Sequence, residues 1–302
     1  MDIIFKSRGI RMRLCRRYFS KAILKNTNEV KLASTIKEPK MQNRGDIFFL
    51  HGLFGNRNNL SQVANEKFTS GYFTTHLLDM RNHGDSDHCS TMTYKEMALD
   101  VDRYAEERNI EKYVLCGHSM GGKIAMTLAG LCPHKIDSII VVDVAPKDVR
   151  NEIKYIGKIK PALDKMKKLI LFQEGQLWED AVSKFHHAFT GTETLFATLL
   201  ETNLLNVNGK PVWKCNVNTI AENAENLFGY ESLGQYEEKD NILIIMGGNS
   251  TVYNVDVFKK TFPNIDNGNI KVIEGAGHWV HADKLKETQR VIGEFIKWRF
   301  KL

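Results

Sequence analysis

From Asp46 onward the chain alternates short, nearly uninterrupted apolar runs with longer stretches in which apolar residues recur every three or four positions. The runs are DIFFL (46–50), FTTHLLD (73–79), YVLCG (113–117), IDSIIVVD (136–143), NILIIM (241–246) and NIKVIEG (269–275). Apolar runs of this length without polar alternation predict strands buried on both faces, as in a parallel sheet covered by helices. Thr93-Tyr94-Lys95-Glu96 has capping-box spacing and predicts a helix running to about Arg108. A last helix, from about Asp283 to Phe300, places Leu285, Val291, Ile292, Phe295 and Ile296 on one side. Strands alternating with helices imply right-handed crossovers and a doubly wound, mostly parallel α/β sheet.

Residues 147–238 interrupt this rhythm. They are rich in lysine, read as several helices, and contain no convincing strand. Lying between the fourth and fifth strand runs, they predict a helical lid over the C-terminal edge of the sheet, where α/β folds bind ligands. Before Asp46, residues 20–45 form a polar extension, with a weak strand signal at EVKLAS (29–34). The expected organisation is therefore a leader at 1–19, an extension at 20–45 and one domain over 46–302, with its lid at about 147–238.

Charge changes the picture at one end only. The net charge is +6, but six of the 42 basic residues and one of the 36 acidic residues fall within 1–19. The rest is close to neutral, which removes the case for a nucleic-acid partner. An Arg-rich, acid-poor leader with interleaved apolar residues is the composition of a mitochondrial presequence. RRYFS resembles a matrix-protease site with cleavage near Phe19–Ser20; a basic tail without targeting function is the plainer alternative. The five cysteines (Cys15, Cys89, Cys116, Cys132, Cys215) are odd in number and form no CxxC pair. This argues against a disulfide framework or zinc cage and for a reducing compartment. No apolar stretch reaches the ~18 residues of a membrane span.

The candidate chemistry centres on Gly117-His118-Ser119-Met120-Gly121, a G-x-S-x-G between a predicted strand and helix. In that context the serine occupies a strained turn, and the flanking glycines let strand and helix approach. Ser119 is thus a candidate nucleophile. HGLFG (51–55), directly after the first core strand, supplies a candidate oxyanion loop: the Leu53 N–H would act with the Met120 N–H. His51 reads as a structural residue holding that loop. The base is expected late in the chain, and His278 in EGAGHWVHAD follows the last strand in a glycine-rich loop. His281 reads as a supporting or surface residue, the His118 ring is expected to point away from the serine, and His83 lies in another loop. The acid is less direct. The position after NILIIM offers Asn249 and Ser250 but no carboxylate. Asp143, ending the strand beside the elbow strand, is preferred over Asp256 and Asp240, its plainer reading being a turn residue ahead of Pro146.

Taken together, HGLFGN, LLDMRNHGDS, GHSMGGK, VVDVAP, MGGNS and GAGHWVHAD resemble the α/β-hydrolase superfamily over residues 46–300. Within it they are similar to a branch holding bacterial short-acyl esterases, a mitochondrial hydrolase of animals and the yeast ethanol acetyltransferases; VWKCNV (212–217) resembles that branch's V-W-R-x-N pattern. The resemblance implies an α/β-hydrolase fold and a triad of Ser119, Asp143 and His278. It also implies acyl transfer through an acyl-enzyme, with no cofactor or metal. The expected activity is acetyl transfer from acetyl-CoA to ethanol, giving ethyl acetate, with side hydrolysis of esters and thioesters; the alternative is a mitochondrial short-acyl esterase or thioesterase. The expected partners are acetyl-CoA or short esters, and ethanol or water. A serine at 119 excludes the epoxide and haloalkane hydrolases of this superfamily, which need a carboxylate there. Carbon–carbon bond hydrolases and a non-catalytic binding protein remain as rivals.

Overall fold

The computed structural model describes residues 29–170, 177–251 and 253–302. The basic leader at 1–19 and its expected cleavage point lie outside the described residues.

The strands are β1 (Ser34–Lys37), β2 (Asp46–Leu50), β3 (Thr74–Leu78), β4 (Tyr113–His118), β5 (Ile136–Val142), β6 (Leu204–Val207), β7 (Lys210–Trp213), β8 (Ile242–Gly247) and β9 (Ile270–Ile273). Seven form one sheet in the order β1-β3-β2-β4-β5-β8-β9. Only β1 runs antiparallel to its neighbour; the other pairings are parallel. The chain leaves β2 toward β3 on one side and leaves β4 toward β5 on the other. Between the C-terminal ends of β2 and β4 the connections diverge, and a crevice opens there.

Why the core strands read as unbroken apolar runs is visible in their packing. In β2, Phe48 and Leu50 enter one buried cluster while Ile47 and Phe49 enter the other. Tyr113 and Leu115 of β4 oppose Val114 and Cys116 in the same way. Each face must be apolar because each is covered. The helices in chain order are α1 (Ser61–Ala64), α2 (Lys67–Tyr72), α3 (Tyr94–Glu106), α4 (Met120–Leu131), α5 (Ile153–Ile170), α6 (Trp178–Ala188), α7 (Thr194–Glu201), α8 (Val217–Glu222), α9 (Ala224–Phe228), α10 (Val280–Asp283) and α11 (Leu285–Phe300). α3 and α4 cover one face, and α11 with α1 the other. The Thr93–Glu96 capping box forms in full.

Two local expectations need correction. The strand expected at 29–34 is displaced to Ser34–Lys37. Val30 and Leu32 are buried as an alternating pattern requires, but the Lys31 and Ala33 amides donate to Asp87 Oδ2 and Ser86 Oγ, not to a strand. The segment at 147–238, expected to lack strands, holds the β6–β7 hairpin. Its turn is Asn208-Gly209, both with positive φ (+55° and +80°), the conformation this dipeptide favours in two-residue hairpin loops. The final helix forms over Leu285–Phe300 as expected; Lys284 (φ −137°) separates it from the short α10, and Asp283 accepts the Gly277 N–H at 2.8 Å.

Among the described residues, Cys89, Cys116, Cys132 and Cys215 form no disulfide, and no helix is long and apolar enough to cross a membrane.

Candidate active site

The elbow after β4 is built by close backbone contact. A Cβ on Gly121 would lie 2.1 Å from Leu50 O, and one on Gly117 2.2 Å from Gly121 O. No side chain fits at either position, so β2, β4 and the start of α4 can meet only through glycine. Ser119 between them has φ +52° and ψ −116°, a strained conformation for a residue with a Cβ. Its N–H donates to Val142 O at 2.9 Å, which anchors the turn to β5.

Ser119 Oγ lies 3.1 Å from His278 Nε2, and His278 Nδ1 lies 2.7 Å from Asp143 Oδ2. With Nδ1–H donating to the carboxylate, Nε2 is the acceptor for the serine hydroxyl. Asp143 leaves β5 in a left-handed conformation (φ +52°), its own N–H held by Ile245 O at 2.8 Å. Its carboxylate also accepts the Gly247 N–H (2.8 Å) and the Ser250 hydroxyl (2.6 Å). Three donors around a side chain only 1 % exposed fix its position. Asp256 and Asp240 are exposed, and Asp256 pairs with Lys259 at 2.6 Å. The structure thus brings Ser119, His278 and Asp143 together and leaves the two alternative acids apart. Ser250, which in the sequence only marked a missing carboxylate, supports the displaced one.

On the other side of Ser119 stands the loop 51–55. A Cβ on Gly52 would be 3.3 Å from Ser119 Cβ, so this loop abuts the serine. Gly52 O accepts the Gly55 N–H (2.9 Å) and is 2.7 Å from His51 Nδ1. Because the peptide is trans, the Leu53 N–H points opposite to that pinned carbonyl. Among the described residues, neither the Leu53 nor the Met120 N–H donates to a protein acceptor. Met120 opens α4, where amide donors are free and the helix dipole favours negative charge.

Two further histidines shape the loop, and burial sets their state. His51 is pushed down to about 4 by desolvation, against the hydrogen bond to Gly52. His83 is pushed down to about 3 by desolvation and by the nearby His51. Both are neutral. His51 Nδ1–H donates to Gly52 O, so its Nε2 accepts the Met80 N–H at 3.0 Å. His83 Nδ1–H donates to Arg81 O, so its Nε2 accepts the Phe54 N–H at 3.2 Å. The His118 ring turns to the loop of His278, its Nε2 2.9 Å from His278 O; burial holds it well below the ordinary range. His281, lowered to about 4 mainly by burial, packs edge-on against His118 with centroids 4.6 Å apart. Sequence reasoning missed the supporting parts played by His83, His118 and Ser250, which only the packed loops reveal.

Ser119 separates two cavities. The larger, about 590 Å³, is lined by Gly52, Ser119, His278 and Trp279 from the sheet edge and by Phe196 and Leu199 from the helical insertion. The smaller, about 70 Å³, shares Ser119 and Leu53 and is closed by Val144, Ala145, Val149 and Phe228. Lys123, one turn after Ser119, borders it. Its Nζ donates to Lys147 O (3.0 Å) and Gly229 O (3.4 Å), tying both ends of the insertion to α4. Among the described residues, no group of three or more His, Cys, Asp or Glu could hold a metal ion.

The profile of the α/β-hydrolase fold matches residues 47–285. The chain belongs to the α/β-hydrolase family. It is 32% identical over 258 residues to a Haemophilus influenzae protein provisionally named esterase/lipase, covering 83% of this chain and 82% of that one. It is 31% identical over 258 residues to the sn-1-specific diacylglycerol lipase ABHD11 of Xenopus tropicalis, covering 83% and 77%. A solved marine microorganism esterase superposes with a TM-score of 0.75 at 27% identity, covering 88% and 99% of the two chains. A Wickerhamomyces anomalus protein provisionally named alcohol acetyltransferase is 32% identical over 100 residues, 33% of this chain and 29% of that one. The chain is thus an enzyme of the α/β-hydrolase class whose broad relatives are esterases and lipases, and ester hydrolysis is the activity this kinship supports.

Proposed function

We propose that this protein is a serine-dependent hydrolase of short-acyl esters and thioesters, working through an acyl-enzyme on Ser119. The observation that carries the reading is the relay from Ser119 Oγ to His278 Nε2 and from His278 Nδ1 to the buried Asp143. Ser119 Oγ attacks the acyl carbonyl while its proton passes to His278 Nε2, and the imidazolium faces the Asp143 carboxylate. The Leu53 and Met120 amides bind the oxyanion. Collapse expels the alcohol or thiol, which takes the proton from His278. His278 then deprotonates a water that attacks the acyl-enzyme, and the acid leaves as Ser119 regains its proton. The cavity of about 70 Å³ suits a short acyl tail, and the one of about 590 Å³ a larger leaving group.

Acetyl transfer from acetyl-CoA to ethanol, which the sequence placed first, stands second. Its support is the 100-residue similarity to the Wickerhamomyces protein, whereas the esterase and lipase relatives match over most of the chain. The two reactions share the acyl-enzyme and differ in what intercepts it. The large cavity would have to favour ethanol over abundant water. A mitochondrial setting belongs to the same proposal and rests on the basic residues 1–19.

Ser119→Ala tests the common step. Both hydrolysis of p-nitrophenyl acetate and ester synthesis should disappear, together with labelling by a fluorophosphonate; survival of either activity overturns the acyl-enzyme. Purified protein with acetyl-CoA, with and without ethanol, then separates the readings by the ratio of ethyl acetate to free acetate.

A further inference from the structure

The helical insertion does more than roof the large cavity, because one of its side chains reaches into the loop beside Ser119. Asn203, 1 % exposed, sits between α7 and the β6–β7 hairpin. Its Nδ2 donates to Phe54 O at 2.6 Å and to Leu199 O at 3.2 Å, and its backbone carbonyl accepts the Lys214 N–H at 2.7 Å. With carbonyls as its partners, the amide has its nitrogen facing them and both hydrogens used.

Phe54 is an unusual residue to hold. It is third in the turn closed by Gly55 N–H to Gly52 O, and its φ is +61°, a conformation that turns normally assign to glycine or asparagine. A buried phenylalanine adopts it only where its surroundings over-determine it. His83 Nε2 holds its N–H, and Asn203 holds its C=O. His51 and the Gly55 amide hold the preceding Gly52 C=O. The peptides around Leu53 are therefore held both within the loop and from His83 and Asn203, and the Leu53 N–H is left without a protein acceptor beside Ser119. Among the described residues, Asn203 is the one of these hydrogen-bond partners that comes from the insertion, whose Phe196 also packs near the Phe54 ring with centroids 6.2 Å apart.

We propose that Asn203 is a positioning residue for the oxyanion site: it locks the Phe54 peptide, so the Leu53 N–H faces the reacting carbonyl only when the insertion is seated. This rests on the acyl-enzyme reading of Ser119. Seating of the insertion and competence for oxyanion binding then become one event. Other contacts share the seating, such as Asn216 N–H to Asn82 O at 2.9 Å and Lys214 to Asp85 at 3.0 Å, but they do not touch the loop 51–55.

The test uses the full chain with Asn203→Leu and Asn203→Asp, p-nitrophenyl acetate as substrate, and an aryl trifluoromethyl ketone that forms a tetrahedral oxyanion on serine. Asn203→Leu should lower kcat by about 10- to 100-fold, less than the ~10²–10³ lost when an oxyanion donor is deleted. KM should stay within about twofold, and ketone affinity should weaken by the factor lost from kcat/KM. In Asn203→Asp the buried carboxyl can donate to Phe54 O only while protonated. Its kcat relative to the parent should therefore fall as pH rises and the carboxyl ionises. Unchanged kcat in Asn203→Leu, or a loss of kcat without loss of ketone affinity, overturns the proposal. A pH-independent ratio for Asn203→Asp overturns it even if the leucine variant does not fold. Fluorophosphonate labelling of the parent at Ser119 separates the two levels. Without labelling the acyl-enzyme reading itself falls; with labelling, these failures strike Asn203 alone.

Discussion

Replacing Asp143 with asparagine changes one atom and sets two demands against each other. The carboxylate accepts from His278 Nδ1–H, from the Ser250 hydroxyl and from the Gly247 N–H. The Gly247 amide is a fixed donor, so the asparagine oxygen must turn to it. The opposite orientation leaves a buried donor unpaired, at about 1–3 kcal/mol. The amide nitrogen then faces His278 Nδ1 and Ser250. The serine hydroxyl can rotate to accept, but the imidazole can accept only by moving its proton to Nε2. That tautomer points a hydrogen at Ser119 Oγ and cannot take its proton. A neutral amide also forfeits the attraction to the imidazolium formed during attack, about 4 kcal/mol for unit charges ~4 Å apart at an effective dielectric of ~20. The two effects total about 5–7 kcal/mol, a kcat loss of ~10⁴–10⁵-fold. Changing the triad aspartate to asparagine in a serine protease costs ~10⁴. The assay is kcat for p-nitrophenyl acetate beside a thermal melt, which should move little. Asp256→Asn, at an exposed residue paired with Lys259, should leave kcat within about twofold. An Asp143→Asn enzyme within tenfold of the parent, or a larger loss in Asp256→Asn, refutes the assignment.

Two further outcomes follow from the packing. Gly121→Ala would set a Cβ 2.1 Å from Leu50 O and 2.8 Å from His51 O, both backbone atoms unable to yield. Overpacking costs typically 1–3 kcal/mol, and the upper end is expected here, roughly 5–12 °C in Tm for a domain this size; an unchanged melt would contradict the close approach. Acid should destabilise the fold through His51 and His83, whose folded pKa values (about 4 and about 3) lie below the unfolded 6.5. Between about pH 6.5 and 4 the unfolded chain binds protons that the folded one refuses. Stability therefore falls with falling pH, by up to ~1.4 kcal/mol per unit for each ring, and these rings add no pH dependence above that window. Urea unfolding at pH 7, 6 and 5 should show the slope, and His83→Gln should make it shallower by one ring's share, since His51, His118 and His281 remain; a flat parent profile would show that the rings are not held neutral.

The α/β-hydrolase fold was legible because its signals are local. An apolar run with no polar break implies cover on both faces, and all six such runs became strands of the sheet. Glycines two residues either side of a serine imply a backbone contact no side chain survives, and the structure has that contact. Where the signal was split between partners, the reading failed. The alternation in EVKLAS is satisfied by burial of Val30 and Leu32, yet the backbone donors of that stretch find loop side chains. The β6–β7 hairpin announced itself only by Asn208-Gly209, between strands of four residues, too short to show a pattern.

By itself the amino-acid order determined the six core strands, the elbow and a short roster of groups able to react. Only the tertiary structure decided which of them meet. Asp143 and His278 are 135 residues apart in the chain, and His278 and Ser119 are 159 apart. The sheet order β4-β5-β8-β9 sets these parallel strands side by side and so directs the loops after β4, β5 and β9, which carry the three groups, to one edge. The direction of the Leu53 N–H is more remote still, since it is set by His51, His83 and Asn203, drawn from three segments that share no local pattern. Hydrogen-bond geometry of that kind depends on a few tenths of an ångström in the folded packing, which residue spacing along a chain does not carry.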